Sequence, residues 1–440
     1  MQTLYVDNIR GFSKTAVRFG GVTFLLGENS TGKSTLLSIL HIINDFSMSL
    51  DFEFDSESHN LGGFHDLIST KSHNKKTFTI GLARNSINAR NKPEDHIFFV
   101  TFTSDEGLPY ATKLTYLDER GLISVAVRKG KIYYKIQAIV KDQASDLYNP
   151  KHVLSLAEIH EADCDETYKE IESPPGLAVT TGQMLFYAAH MIPNEAHTNR
   201  KGSSLYYYFM SRSQSVWIAP IRTKPKRTYD GSRARFDAEG SHVPYLLRKK
   251  LLEAKSTFQK ALLSVGKEGN LFNSLKIKSF GEEEGSPFEV QVGFGDNTYS
   301  VAHVGYGVSQ VLPIIAESIS QPKNTLFYIQ QPEVHLHPRA QASLGDLIHA
   351  LATKEDKEFI IETHSDFLID RFRLCKKRAT QNKSRRAIAS VPSTVLFFTR
   401  TTHGNHVTEI AIGDNGSYPD DQPLEFREFF LKEQIDLMDL

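Results

Sequence analysis

The sequence predicts an α/β protein in which a mixed sheet is split along the chain by a β-rich lobe and a helical insertion. Three observations indicate this class. An apolar run from Val22 to Leu26 leads into a glycine-rich segment and then into a helical pattern at residues 36–40. Short β-prone runs follow one another between residues 77 and 136, and apolar runs alternate with helical patterns after residue 300.

The residues between 77 and 264 contain the patterns that predict the lobe and the insertion. Strands are predicted at Thr77–Leu82, His96–Thr103, Ala111–Tyr116, Leu122–Arg128 and Ile132–Ile136, with a hairpin turn at 128–131. Helices are predicted at Ala157–Ile171 and Thr181–His190, then a short strand at Trp217 and a helix over about 243–264.

The last third returns to strand–helix alternation. It predicts strands at Phe288–Phe294, Leu326–Ile329 and Phe359–Ile361, and helices at Val304–Ser320 and around Leu344–Leu351. Such units build parallel sheets, so they must rejoin the strand at residues 22–26 to complete one domain. We therefore predict three parts, which are an N-terminal half (1–150), an insertion (151–285) and a C-terminal half (286–440).

Composition excludes several classes of protein. The 440 residues are 40% hydrophobic and 23% charged, with a net charge of −1, as in ordinary globular proteins and unlike strongly basic nucleic-acid binders. The two cysteines form no CxxC pair, which argues against disulfide and cysteine–zinc scaffolds. No signal-peptide or membrane-spanning run is visible, so we expect a soluble, cytoplasmic protein without membrane contact.

The segment Gly27-Glu-Asn-Ser-Thr-Gly-Lys-Ser34 fits the phosphate-binding pattern GxxxxGK[ST] at every specified position. A strand–loop–helix with glycines at its bends directs backbone N–H groups at one point, in front of a helix N-terminus. Lys33 is expected to reach the outer phosphates, and the Ser34 hydroxyl to bind Mg²⁺. The predicted nucleotide-binding residues of this segment are Asn29, Ser30, Thr31, Gly32, Lys33, Ser34 and Thr35.

Three further motifs follow in the last third. They are Val304-Gly-Tyr-Gly-Val-Ser-Gln310 at a helix start, Leu326-Phe-Tyr-Ile-Gln-Gln-Pro-Glu-Val-His-Leu-His-Pro338, and Phe359-Ile-Ile-Glu-Thr-His-Ser365. The last two are strands that end in polar residues. In a parallel sheet such ends meet at the ligand crevice, so their side chains are well placed to act on a γ-phosphate.

In this order, the motifs resemble those of ABC-type ATPases of the SMC/Rad50/OLD branch. The residues of these motifs are most similar to those of OLD-like ATPases of bacterial phage-defence systems, such as the Septu ATPase subunit. The resemblance covers residues 1–46 and 300–372 well and the segment around Arg222 loosely. It implies an ABC/SMC-like P-loop ATPase head that uses ATP and Mg²⁺.

The resemblance also implies roles for single residues. Gly305, Gly307, Ser309 and Gln310 would form a signature motif that contacts the γ-phosphate on another subunit, in a head-to-tail dimer or higher homo-oligomer. His364 would be the switch histidine that binds the γ-phosphate. Arg10 is expected to contact nucleotide.

The second motif departs from the family, whose strand at this place, the Walker B strand, ends in two acids. Here it ends in Gln330 and Gln331. An amide lacks the charge that a carboxylate gives a Mg²⁺ site and cannot act as a general base. Three interpretations stay open: a laboratory Glu→Gln substitution at position 330, a naturally slow ATPase with Gln331 positioning water, or Glu333 taking over as the acid. All three predict nucleotide binding and differ on turnover, so hydrolysis by this chain is in doubt. The residues predicted to hold the metal are Ser34 and Gln330.

Other features carry less information. Arg222, Lys224, Lys226 and Arg227 form a basic run that could follow nucleic-acid phosphates or simply be a solvated loop. His335 and His337 suggest a metal pair, but the resemblance places them where subunits meet. The aromatic residues 206–209 are expected in a core or an interface. No Toprim or other nuclease framework is found, so an effector nuclease would be a separate partner.

The function predicted from these motifs is the ATP-binding ATPase subunit of an anti-phage defence complex. ATP-dependent oligomerisation would scaffold and regulate a partner effector, with a nuclease expected. The alternative is a DNA repair or recombination ATPase that binds DNA ends, which the absence of a long heptad arm disfavours. A transporter ATPase is disfavoured by the split domain and by the residues of the 304–310 motif, which differ from the LSGGQ motif of transporters.

Overall fold

The computed structural model describes residues 1–44, 53–56, 59–87, 93–118, 121–137, 148–162, 167–171, 180–195, 215–253, 257–381 and 390–430. Its strands are β1 (Gln2–Asp7), β2 (Thr15–Phe19), β3 (Val22–Gly27), β4 (Phe78–Ile87), β5 (Pro93–Asp105), β6 (Leu108–Asp118), β7 (Gly121–Arg128), β8 (Lys131–Gln137), β9 (Lys169–Ile171), β10 (Ser215–Ile218), β11 (Ser274–Ser279), β12 (Phe288–Phe294), β13 (Asn297–Ser300), β14 (Leu326–Gln330), β15 (Glu358–Glu362), β16 (Ser393–Thr401) and β17 (Gly404–Ala411). Its helices are α1 (Lys33–Asn44), α2 (Phe64–Leu67), α3 (Pro150–Glu161), α4 (Thr181–Glu195), α5 (Val243–Leu252), α6 (Thr257–Glu268), α7 (Tyr306–Ser320), α8 (Pro338–Glu355), α9 (Asp366–Gln381) and α10 (Leu424–Glu428).

The chain folds into two compact units. Unit 1 comprises residues 1–20, 28–213 and 398–409, and unit 2 comprises residues 21–27, 214–397 and 410–440. Strand β3 belongs to unit 2, whereas the glycine-rich loop that continues from it belongs to unit 1 from Glu28 onward.

Unit 1 is built on an eight-stranded antiparallel sheet in the order β2-β1-β4-β5-β6-β7-β8-β9. The hairpin between β7 and β8 turns through Lys129 (φ 48°) and Gly130 (φ 75°), the left-handed pair of a tight turn that matches the twist of the strands. Tyr5 and Phe99 of the sheet pack with Leu156 of α3 in a buried cluster. The β-rich lobe and its hairpin are thus confirmed.

Unit 2 contains most of a six-stranded sheet with the order β10-β14-β15-β3-β16-β17. The pairs β10–β14, β14–β15 and β15–β3 are parallel, so their carboxyl ends share one edge. Phe24, Phe327 and Phe359 on these strands are fully buried in the core of the unit. The C-terminal strands therefore rejoin the strand at 22–27, and the predicted α/β class with a split mixed sheet is confirmed.

Two of the predicted helices need correction. The helix expected at Ala157–Ile171 ends at Glu161, and Lys169–Ile171 instead pairs with β8 as an edge strand. The helix expected over 243–264 is two helices, α5 and α6. The aromatic residues 206–209 lie outside the described residues, and the three-part division of the chain stays a prediction. Among the residues that the structure describes, no helix has both the length and the apolar character needed to cross a membrane.

Candidate functional site

The glycine-rich loop runs from the end of β3 at Gly27 to the start of α1 at Lys33. It bends through two left-handed residues, Ser30 (φ 60°) and Gly32 (φ 90°). A Cβ atom built on Gly32 would lie 2.4 Å from the ring of Phe12, so only glycine fits there. The strand–loop–helix predicted from the sequence is present.

Lys33 places its ammonium group inside this loop. Its side chain is buried, and Nζ donates a hydrogen bond to the backbone oxygen of Glu28 at 2.6 Å. The Thr31 hydroxyl donates to the same oxygen at 2.7 Å, while Asn29 and Ser34 are exposed. A cation held among backbone N–H groups at a helix N-terminus attracts an anion.

Arg10 supports the first turn of α1. Its Nη1 donates to Thr35 Oγ1 at 2.8 Å, and Nη2 donates to the backbone oxygen of Leu61 at 2.9 Å. Burial lowers the pKa of Arg10, an effect that the charge of Asp66 partly opposes. Arg10 therefore lies beside the residue that follows Ser34, and its contact with nucleotide stays a prediction.

Sequence reasoning missed Arg400 of unit 1, whose Nη2 donates to the backbone oxygen of Ser30 at 2.6 Å. It holds the tip of the glycine-rich loop from the far end of the chain. No motif surrounds Arg400, so only the fold could have revealed this contact.

At the end of β14, Gln330 meets a carboxylate that the sequence analysis did not single out. Its Nε2 donates to Glu362 Oε2 at 3.0 Å, and the Gln331 N–H donates to the Glu362 backbone oxygen at 2.7 Å. Glu362 ends β15 opposite Gln330 and is 4% exposed. The strand end that lacks an acid at position 330 thus has a buried acid directly beside it.

Glu333 connects the segments that follow β14 and β15. Its Oε2 accepts a hydrogen bond from Thr363 Oγ1 and its Oε1 accepts one from the His364 N–H, both at 2.7 Å. One carboxylate oxygen is therefore engaged by Thr363 and the other by the backbone of the half-buried His364. In this structure Glu333 acts as a positioning group for the predicted switch histidine.

The predicted signature segment begins α7, with Gly305 as its N-cap. Gly305 is exposed, whereas Ser309 and Gln310 are buried and their side chains bond within the unit, Ser309 to the Tyr306 backbone oxygen at 2.8 Å. A Cβ atom on Gly307 would lie 2.7 Å from the backbone oxygen of His335. The first turn of α7 is the part that a partner could reach.

The basic run is corrected at one residue. Arg222 is 3% exposed and cannot follow nucleic-acid phosphates, because a buried side chain does not reach a nucleic acid at the surface. Lys224, Lys226 and Arg227 are exposed, as expected.

The two histidines near the start of α8 have local roles. His337 is the N-cap of α8, and its Nδ1 accepts a hydrogen bond from the Arg339 N–H at 3.3 Å. The ring of His335 packs against Tyr306. In the described part of the chain, no group of three or more His, Cys, Asp or Glu side chains is placed to hold a metal ion.

Comparison with known families gives one match, in which residues 240–369 fit the AAA ATPase domain. This segment is similar to an AAA ATPase domain. It contains the predicted signature segment, the end of β14 and the residues after β15, and the match supports the ATPase class predicted from the sequence. No curated protein matches the chain.

Three solved SMC head structures are similar to most of the chain. The Smc head bound to the C-winged helix domain of ScpA shares 11% identity over 93% of this chain and 97% of that one, with a TM-score of 0.41. The SMC head from Thermotoga maritima shares 10% identity over 92% of this chain and 97% of that one, with a TM-score of 0.36. The Pyrococcus furiosus Smc head, bound to the C-terminal domain of ScpA, shares 11% identity over 99% of this chain and 100% of that one, with a TM-score of 0.40. These scores are too low for residue positions to be compared.

Proposed function

We propose that this chain is the ATP-binding subunit of an ABC-type ATPase in an anti-phage defence complex. The observation that carries the proposal is the ammonium group of Lys33 inside a glycine-bent loop between β3 and α1. The match of residues 240–369 to an AAA ATPase domain supports it. ATP would bring copies of the chain together through the exposed start of α7, and the assembly would scaffold a separate nuclease effector.

The residues of the loop fit a nucleoside triphosphate. Its backbone N–H groups and Lys33 would bind the phosphate oxygens, and the exposed Ser34 hydroxyl would bind Mg²⁺. Mg²⁺, when bound, would neutralise phosphate charge. Gln330 is the other residue predicted to hold the metal, and within unit 2 its amide donates to the buried carboxylate of Glu362.

The test is nucleotide binding by a Lys33→Met variant. Removing the ammonium is expected to weaken binding of a fluorescent ATP analogue at least tenfold, since a charge-assisted contact contributes roughly 1.5–3 kcal/mol. The control is Lys129→Met, which removes an exposed lysine of the same unit at the β7–β8 turn. Equal affinity of all three proteins would show that the loop does not bind nucleotide.

The exposed Lys224, Lys226 and Arg227 are the observation that favours the second candidate, a DNA repair ATPase. Titration of duplex DNA ends at several salt concentrations separates the two. A DNA-binding function requires salt-dependent binding that weakens when the three residues become glutamine. For the defence function, we expect no such binding, and ATP-dependent capture of a nuclease encoded beside this chain.

A further inference from the structure

Arg222 is fixed to the signature helix through its backbone. It follows β10 in unit 2, and its carbonyl oxygen accepts a hydrogen bond from Gln310 Nε2 at 3.3 Å. Gln310 is itself only 4% exposed, on the helix that begins at the signature glycines. The segment that carries Arg222 is therefore hydrogen-bonded to α7 just after the first turn of that helix.

The side chain of Arg222 reaches the end of β14. Its Nη2 donates to the backbone oxygens of Gln330 at 2.9 Å and Gln331 at 3.3 Å. Gln331 has a φ of 43°, a left-handed conformation that residues with a side chain rarely adopt. Since the Gln331 N–H is held by Glu362, Arg222 and Glu362 together fix this bend from two sides.

The other donors of the guanidinium are not used inside the described part of the protein. Nε and Nη1 are buried there without a hydrogen-bond partner. Burial lowers the pKa of Arg222 to about 10, an effect partly opposed by the charge of Glu333. A buried cation with unused donors destabilises a fold, and an apolar side chain would fill the same space at lower cost. Packing alone thus does not explain an arginine here.

We propose that Arg222 is a positioning residue that couples the signature helix to the bend at the end of β14. Movement at the start of α7 passes through Gln310 to Arg222 and from there to the carbonyl groups of Gln330 and Gln331. The inference rests on the proposed function for what these two segments bind. The coupling itself is a chain of contacts within unit 2.

Hydrogen exchange of the ligand-free, full-length protein tests the coupling. Arg222→Met, which keeps the volume without the donors, is expected to increase amide exchange about tenfold in peptides covering both 305–312 and 331–337. Arg222→Lys should restore protection only in part, because an ammonium lacks the planar fork. The matched control, Arg227→Met, removes an exposed arginine of the same loop and should change neither peptide.

A second variant keeps the test decisive if Arg222→Met does not fold. Gln310→Ala removes the other end of the connection and should increase exchange at 331–337, although Gln310 makes no contact there among the hydrogen bonds described. Where both variants fold, their combined effect should be less than the product of the single effects. Changes confined to 219–227, or independent effects of the two substitutions, would refute the coupling.

Binding measurements separate this inference from the proposed function. With Mg²⁺ and the fluorescent ATP analogue, Arg222→Met should bind within about threefold of the parent chain but self-associate at least tenfold more weakly. Unchanged self-association would overturn the role of Arg222 in an ATP-binding parent. A parent chain that binds no ATP would refute the proposed function, while the exchange data would still decide the coupling.

Discussion

At the scale of single residues, the contact between Gln330 and Glu362 defines the chemistry of the strand end. The amide donates a hydrogen bond to a carboxylate that is almost fully buried. An amide can donate and carries no charge, whereas a second carboxylate at this distance would repel the first. The identity of residue 330 therefore sets how much negative charge this end of the sheet carries.

Gln330→Glu is expected to make stability depend on pH. Two adjacent carboxyl groups raise the pKa of the pair above the unfolded value of about 4.3. A raised folded pKa means that stability is retained below pH 4 and lost as the pH rises through the folded pKa. We expect a loss of about 1–3 kcal/mol at pH 8 relative to pH 5, reversed by Mg²⁺. Urea unfolding at both pH values measures it.

Gln330→Met is the control, because it removes the hydrogen bond without adding charge. Its apolar side chain against the buried Glu362 should give a smaller pH dependence, which Mg²⁺ does not reverse. ATP turnover of the same proteins separates the three interpretations of position 330. Turnover gained only in Gln330→Glu indicates a substituted Walker B acid. Equal turnover in the parent chain and in Gln330→Glu indicates that another acid, Glu333 or Glu362, acts in hydrolysis. Binding without turnover in either indicates a nucleotide-gated scaffold.

At the scale of elements, the start of α7 contains two glycines with different roles. Gly307 lies against the backbone at His335, where a Cβ atom has no room, whereas a Cβ atom on Gly305 meets nothing within 4 Å. Gly307 is thus required for the packing of α7 on the segment that follows β14. Packing within the unit does not require glycine at position 305, which agrees with the proposal that another subunit approaches the start of α7 there.

Gly307→Ala is expected to destabilise the protein by about 1–3 kcal/mol, because the new methyl group forces α7 away from a backbone oxygen. Gly305→Ala should cost less than about 1 kcal/mol, the usual range for alanine at an N-cap. Urea unfolding of both variants measures the difference. Equal losses would show that the close approach at Gly307 does not exist in solution.

At the scale of the whole molecule, we expect the two units to differ in their response to acid. Unit 1 contains two buried histidines in direct contact, His41 Nδ1 and His59 Nε2, 2.6 Å apart. Desolvation lowers the pKa of His41 to about 3, with the charge of His59 contributing, and lowers the pKa of His59 to about 4. Unit 2 contains Trp217, the single tryptophan of the chain, buried beside Tyr328.

Unit 1 is expected to lose stability first on acidification. Because both folded pKa values lie below the unfolded value of about 6.5, the unfolded state takes up protons first. The stability contributed by this pair is thus fully present well above pH 6.5. It falls by up to about 2.7 kcal/mol per pH unit between pH 6 and pH 4, about 1.4 for each histidine. Far-ultraviolet circular dichroism should change before Trp217 fluorescence does. Replacing both histidines by leucine should reduce this slope, and an unchanged slope would contradict the assignment.

The sequence by itself determined the strand–loop–helix at residues 22–44, the strands of the lobe between residues 77 and 136 and the strand–helix alternation after residue 300. These features depend on local patterns: the glycine spacing of the loop, the period of two in strands and the period near four in helices. The helix predicted at Ala157–Ile171 failed beyond Glu161 because Lys169–Ile171 pairs with β8, a tertiary contact that local propensity does not encode.

Only the tertiary structure decided which polar groups meet. It placed Glu362 beside Gln330, set Glu333 to hold His364, and buried Arg222, which the sequence had grouped with exposed basic residues. Parallel strands bring together residues that are distant along the chain, and the register of β14, β15 and β3 sets which ones face each other. Sequence spacing carries no information about that register, so motifs locate the strand ends and the fold alone assigns their partners.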